Sequence, residues 1–264
     1  LVEHRLEGTR VRVALFTNFT QDHLDYHGSM AAYWQAKLRL FDVEGLQVAA
    51  VNLDDPQGVA LVDHLLNKVA MATDRVWTFG ESDKARLQAR HIQLMPCSQA
   101  GAQTSAGLSF EVVEGAESHT LATPFVGRYN VSNLLGVLAS MRALGIALSD
   151  AVAACKNLLA VPGRMQTLAV AGQPLVVVDY AHTPDALRQA LLALQPLAQA
   201  RGGQVHCIIG CGGDRDVGKR PLMAAAAQAH AQQVVLTSDN PRSEDPQHIL
   251  QHMQAGLTPG SAVQ

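Results

Sequence analysis

No apolar run in this chain is long enough to cross a bilayer. The longest, such as Leu175–Val178 and Ala224–Ala227, fall far short of the roughly 20 residues a helical span needs. A basic surplus is also missing: 20 Lys and Arg face 23 Asp and Glu, for a net charge of −3. A nucleic-acid binder held by bulk electrostatics is thereby excluded, because there is no cationic excess to release counterions. Cysteine is scarce and scattered, at Cys97, Cys155, Cys207 and Cys211. That excludes a disulfide scaffold and leaves a reducing, cytoplasmic setting as the expectation. The start, Leu1-Val2-Glu3-His4-Arg5, has neither an initiator Met nor a charged-then-apolar leader. With an end just past a helical pattern, the expectation is a piece of a longer protein. No internal repeat or low-complexity linker stands out.

What is present suits a packed α/β fold. Hydrophobic residues make up 48% of the 264 and charged residues 16%, so a substantial core is feasible. Strand-like runs alternate with helical periods: strand Val11–Phe16, helix Ser29–Phe41, strand Gln47–Leu53, helix Val59–Val69 and strand Val76–Phe79. Short alternating runs at Leu108–Val113 and His119–Thr123 predict antiparallel strands, and two helices follow over Asn130–Leu144 and Asp150–Leu159. Val161-Pro162-Gly163-Arg164 reads as a domain boundary, where Pro and Gly end one helix and open an extended segment. Beyond it, Leu175–Val178 has the look of a strand buried on both faces. Helix Pro184–Ala200, strand Val205–Ile209, helix Lys219–Ala231 and strand Val234–Thr237 complete three βα units. Such a series predicts a parallel, doubly wound sheet with right-handed crossovers.

Ligands in such sheets bind beyond the carboxyl ends of the strands. Three polar clusters sit there: Asp179-Tyr180-Ala181-His182, Gly210–Arg215, and Asp239-Asn240-Pro241-Arg242. Ordinary helix capping is the simpler explanation for any one of them. Gly210-Cys211-Gly212-Gly213-Asp214-Arg215 is glycine-rich without the Gly-x4-Gly-Lys-Ser/Thr order of a P-loop. Its glycines are expected to let backbone approach a ligand. Arg215 and Arg242 are expected to fork onto carboxylate or phosphate. Cys207 and Cys211 lack zinc-site spacing and read as small core residues. The run Asp22-His23-Leu24-Asp25-Tyr26-His27 carries metal-ligand types, or equally a capped helix start. Lys37 lies in a mostly apolar helix, where a snorkelling lysine is the commoner reading. Asn130 and Asn133 share a face at a helix start, suited to reading a base edge or to capping.

Taken together, Thr17–Gly28, Ala36-Lys37, Gly127–Asn133, Pro162-Gly163-Arg164, Asp179–Asp185, Gly210–Pro221 and Ser238–Pro246 resemble the Mur ligases, in the branch that adds meso-2,6-diaminopimelate. The motifs run in the family's order from the first residue to about Pro246. The resemblance implies a central ATPase-type α/β domain over residues 1–161, mostly parallel with extra antiparallel strands, and a Rossmann-like C-terminal domain over 162–264. It implies an ATP- and Mg2+-dependent amide ligase of cytoplasmic peptidoglycan synthesis. Its substrates would be UDP-N-acetylmuramoyl-L-alanyl-D-glutamate and meso-2,6-diaminopimelate, joined through an acyl phosphate, with no nucleic-acid or membrane partner and a monomeric state.

The resemblance also distributes roles. Lys37 matches the family's carbamylated lysine, whose carboxylate-like cap holds magnesium, and His23 the histidine of the metal region; both count as catalytic. Asn130, Asn133, Arg164, Asp179 and His182 match ATP contacts. Arg215 with Asp239, Asn240, Pro241 and Arg242 match the diaminopimelate site. There Arg242 would pair with the second carboxylate, which lysine lacks. Arg5 and Glu3 match contacts to the UDP-sugar dipeptide, with Glu3 standing where the family usually has glutamine. The cleft between the two domains is the expected active site. The family's P-loop is absent from the sequence, so these 264 residues alone are expected to give no turnover. A lysine-adding relative and a non-catalytic ligand-binding fragment are the competing readings.

Overall fold

The computed structural model describes residues 2–22, 24–97, 105–159, 161–170 and 172–258. In chain order the elements are β1 (Val13–Phe16), α1 (Leu24–His27), α2 (Met30–Leu38), β2 (Val48–Asn52), α3 (Pro56–Asn67), β3 (Val76–Gly80), β4 (Leu87–Cys97), β5 (Ser105–Glu114), β6 (Glu117–Thr123), α4 (Tyr129–Ala143) and α5 (Leu148–Cys155). There follow β7 (Gln166–Leu168), β8 (Val176–Val178), α6 (Pro184–Ala200), β9 (His206–Ile209), α7 (Lys219–His230), β10 (Gln233–Leu236) and α8 (Pro246–Gln254). They form two compact units: Leu1–Thr20 with Gly28–Ala160, and Gln21–His27 with Val161–Gln264.

The first unit is built on a six-stranded sheet in the order β1-β2-β3-β4-β5-β6. Its first four strands are parallel and the β4–β5–β6 meander is antiparallel. All five residues of β2 are buried, because both faces of the strand are covered. Val48 and Ala50 join a core under α4 and α5, with Phe79, Phe110 and Leu135. Ala49 and Val51 point the other way, into a core with Phe16, Leu38, Leu61 and Leu65. The period of two along the strand thus feeds two separate cores.

Local signals set the helix starts. Ser29 and Asp55 cap α2 and α3 by accepting from Ala32 N and Gln57 N, and Pro56 follows at the first turn of α3. Gly58 lets α3 lie on the sheet: a β-carbon there would stand 1.8 Å from the Asn52 carbonyl oxygen. Asn52, also buried, donates from Nδ2 to Thr17 O at 2.7 Å and Ser132 Oγ at 3.0 Å, tying the carboxyl end of β2 to its neighbours.

The second unit departs from the expected three-stranded parallel sheet. β9 and β10 pair in parallel, as the βα pattern predicts. Among the described residues, β8 instead pairs only with β7, and antiparallel. Nor is β8 buried on both faces: Val176 is 52% and Val178 42% exposed. A cavity of about 670 Å³ has both Val177 of β8 and Cys207–Ile209 of β9 in its lining. The core of this unit lies between β9, β10 and helices α6, α7 and α8, around Leu191, Met223, Val234 and Met253.

Candidate functional site

Because β9 and β10 are adjacent and parallel, the loops leaving their carboxyl ends run side by side. Backbone bonds join them: Thr237 N donates to Ile209 O at 2.9 Å, and Gly213 N to Asn240 O at 2.9 Å. The neighbouring loop already requires glycine here. A β-carbon on Gly210 would meet Thr237 O at 2.7 Å, and one on Gly213 would meet Pro241 O at 1.8 Å. Both loops hold a non-glycine residue in the left-handed region, Asp214 at φ 52° and Arg242 at φ 50°. The Asp214 carboxylate accepts from Ser243 Oγ at 2.6 Å and Ser243 N at 3.3 Å, bracing the pair.

This arrangement brings Arg215, Asp239 and Arg242 to the wall of the same cavity, together with Lys219. Arg242 also donates through Nη1 to Gly213 O, which lays its guanidinium across the glycine loop. Arg215 is exposed. Arg215 and Arg242 offer two forks to carboxylates, and Asp239 stands on the same wall as an acceptor for an ammonium, among the further charges of Lys219, Asp22, Asp179 and Asp216.

The expected ATP contacts at the end of β8 also line this cavity in part. Asp179 accepts from Met165 N at 2.9 Å and Ala181 N at 2.8 Å, so its carboxylate braces the turn. His182 Nδ1 lies 3.1 Å from Tyr180 O, and its Nε2 lies 3.6 Å from Asp22. Arg164 stands over the exposed Tyr180 ring at 4.7 Å from the centroid.

In the first unit, Asn130 does not cap α4. The cap position is Arg128, and Asn130 Nδ2 donates to Val126 O at 2.7 Å, closing the turn ahead of the helix. Asn133 Nδ2 reaches Asn130 Oδ1 at 3.3 Å. Lys37, in the last turn of α2, is half-buried with Nζ 4.9 Å from the Tyr33 ring centroid. His23, expected beside it in a metal region, lies outside the described residues. Among the described residues no group of three His, Cys, Asp or Glu side chains converges as metal ligands would. Glu3 and Arg5 are exposed in the turns ahead of β1.

Three residues escaped the sequence reading: Arg220, Glu244 and His252. Arg220 is fully buried in the first turn of α7 and forks onto Glu244, Nη2 to Oε1 at 2.6 Å and Nη1 to Oε2 at 2.8 Å. His252 Nδ1 accepts from Arg220 Nη1 at 3.0 Å. The Arg220 guanidinium and the Asp214 N–H hold the Glu244 carboxyl down to about 2. The available signal was Lys219-Arg220 itself, two cations at a helix start where the dipole disfavours them. Burial pushes the Cys207 thiol up to about 11 and also raises Cys211, which disfavours the reactive thiolate at both.

Comparison with known proteins decides the lineage. Residues 1–141 match the Mur ligase middle domain, and residues 163–264 match the Mur ligase glutamate ligase domain. The chain belongs to the Mur ligase family. Over all 264 residues this Mur ligase chain is 57% identical to the UDP-N-acetylmuramoyl-L-alanyl-D-glutamate–2,6-diaminopimelate ligase of Acidovorax sp. (strain JS42), covering 50% of that protein. It is 48% identical to the ligase of the same name from Janthinobacterium sp. (strain Marseille), over 98% of this chain and 49% of the other. A solved structure of a ligase of that name aligns with a TM-score of 0.60 at 37% identity, over 99% of this chain and 51% of the other. This Mur ligase chain therefore spans about half the length of the curated relatives it matches. No helix among its described residues is long and apolar enough to cross a membrane.

Proposed function

We propose that this chain is part of an ATP-dependent ligase that joins meso-2,6-diaminopimelate to the D-glutamate γ-carboxylate of UDP-N-acetylmuramoyl-L-alanyl-D-glutamate. The setting is cytoplasmic peptidoglycan synthesis, by a monomer. Residues 1–161 would be the ATP-binding domain and 162–264 the domain that binds the incoming amino acid. One observation carries the reading: Arg215 and Arg242, on adjacent loops, line one cavity with Asp239 between them in charge. Each guanidinium pairs with one carboxylate of the twin-acid amine, and Asp239 holds an ammonium. A monocarboxylate such as lysine leaves Arg242 without a partner, which is the basis of selection.

ATP, when bound, supplies the phosphoryl group that turns the γ-carboxylate into an acyl phosphate. In the second unit, the Arg164 guanidinium suits phosphate oxygens and the exposed Tyr180 ring suits stacking. Lys37, half-buried with its amino group 4.9 Å from the Tyr33 ring centroid, is the lysine whose carbamylated form would help hold magnesium.

The test is phosphate release by the full-length protein with ATP, the UDP-sugar dipeptide and one amino acid at a time. Release that depends on meso-diaminopimelate supports the reading. Equal release with L-lysine points to the lysine-adding relative, and none with either points to a binding fragment.

A further inference from the structure

Arg220 has an environment that packing alone does not explain. A fully buried guanidinium at a helix start is costly unless paired and hydrogen-bonded, and an apolar side chain of similar volume would fill the space more simply. What the guanidinium adds is geometry. Its two terminal nitrogens reach three separate segments: Gly212 O in the glycine loop at 3.4 Å, both Glu244 oxygens in the loop after β10, and His252 Nδ1 in α8 at 3.0 Å. The His252 contact needs Nδ1 as the acceptor. Glu244 Oε1 accepts in turn from Asp214 N at 2.5 Å, and Asp214 holds Ser243. Asp214 immediately precedes Arg215, and Ser243 immediately follows Arg242. Each cavity-lining arginine is thus one residue from a group fixed by the same clamp.

We propose that Arg220, acting through Glu244, is a positioning residue that sets the spacing of Arg215 and Arg242 for a dicarboxylic amino acid. It touches no substrate itself. The inference rests on the acceptor reading given above and goes beyond it, because it assigns acceptor recognition to a buried residue outside the cavity wall. Lysine at this position keeps the charge but cannot fork onto Glu244 and reach Gly212 and His252 at once. The two loops then lose their common anchor while the core beneath them stays packed.

The experiment is steady-state ligation by the full-length protein and its Arg220→Lys and Glu244→Gln variants, with KM measured for meso-diaminopimelate and for ATP. The expected result is a rise of about 10-fold or more in the acceptor KM, with the ATP KM within about 2-fold. The double variant is expected to be little worse than either single one, since both break the same fork. A merely structural role would instead reduce the folded fraction and lower kcat for all substrates with KM unchanged. Should Arg220→Lys fail to fold, Glu244→Gln carries the same readout. Acceptor KM values within about 2-fold of the parent in folded variants, or equal changes for acceptor and ATP, overturn the inference alone. A parent protein that does not ligate meso-diaminopimelate overturns the proposed function and this inference with it.

Discussion

Gly213 and Pro241 meet backbone to backbone: a β-carbon on Gly213 would stand 1.8 Å from the Pro241 carbonyl oxygen. Since that oxygen belongs to the main chain, neither side can yield without moving a loop. Gly213→Ala is expected to cost about 2 kcal/mol or more in urea unfolding, through overpacking. Gly203→Ala, whose added carbon finds only ordinary contact at 3.8 Å, is expected to be neutral or slightly stabilising. Equal effects at the two sites would show that the loops are not pressed together.

The Glu244 carboxyl, held down to about 2 by Arg220 and by the Asp214 N–H, makes stability depend on acid. Its folded value lies below its ordinary one of 4.5. The stabilisation is therefore fully present above that ordinary value and is lost as pH falls toward about 2. Unfolding midpoints of the parent and Glu244→Gln should differ at pH 7 and draw together as pH falls from about 4.5 toward about 2. A gap that stays constant over that range contradicts the ionised fork.

Asn52 offers a test of the first unit. Its buried amide bridges Thr17 O and Ser132 Oγ, and Asn52→Ala leaves both without that donor. A loss of about 1–3 kcal/mol is expected from chemical denaturation. A loss near zero would mean that the carboxyl end of β2 is held by other groups.

Burial raises the Cys155, Cys207 and Cys211 thiols, Cys207 to about 11. These three should resist iodoacetamide at pH 7.5 in the folded protein and react on unfolding. Mass spectrometry at successive urea concentrations reads this directly. Fast labelling of Cys207 under native conditions would show that the β9 core opens.

How much of this was legible in the sequence depends on range. Periodicity located the main helices to within a few residues, because apolar spacing is a local signal, but it began α3 at Val59, past the Asp55 cap and its start at Pro56. It also placed the loops after β9 and β10 at a common edge. It misread Leu175–Val178, since three valines signal a strand but not which neighbour pairs with it. The press of Gly213 against Pro241 went unseen, because the two lie nearly thirty residues apart. Arg220 went unnoticed because its one local signal, a second cation at the start of α7, does not tell a buried arginine from a solvated one. Its meaning lies in Glu244 and His252, brought in by the fold.

Under the proposed function, Arg242 reads the second carboxylate of the acceptor. The most direct test of this role is the ratio of kcat/KM for meso-diaminopimelate to that for L-lysine, in the full-length protein and in Arg242→Ala. The parent is expected to prefer meso-diaminopimelate strongly, and the variant to lose that preference by about 10-fold or more through diaminopimelate alone, with lysine use unchanged. A variant that keeps the parent's preference would contradict the assignment.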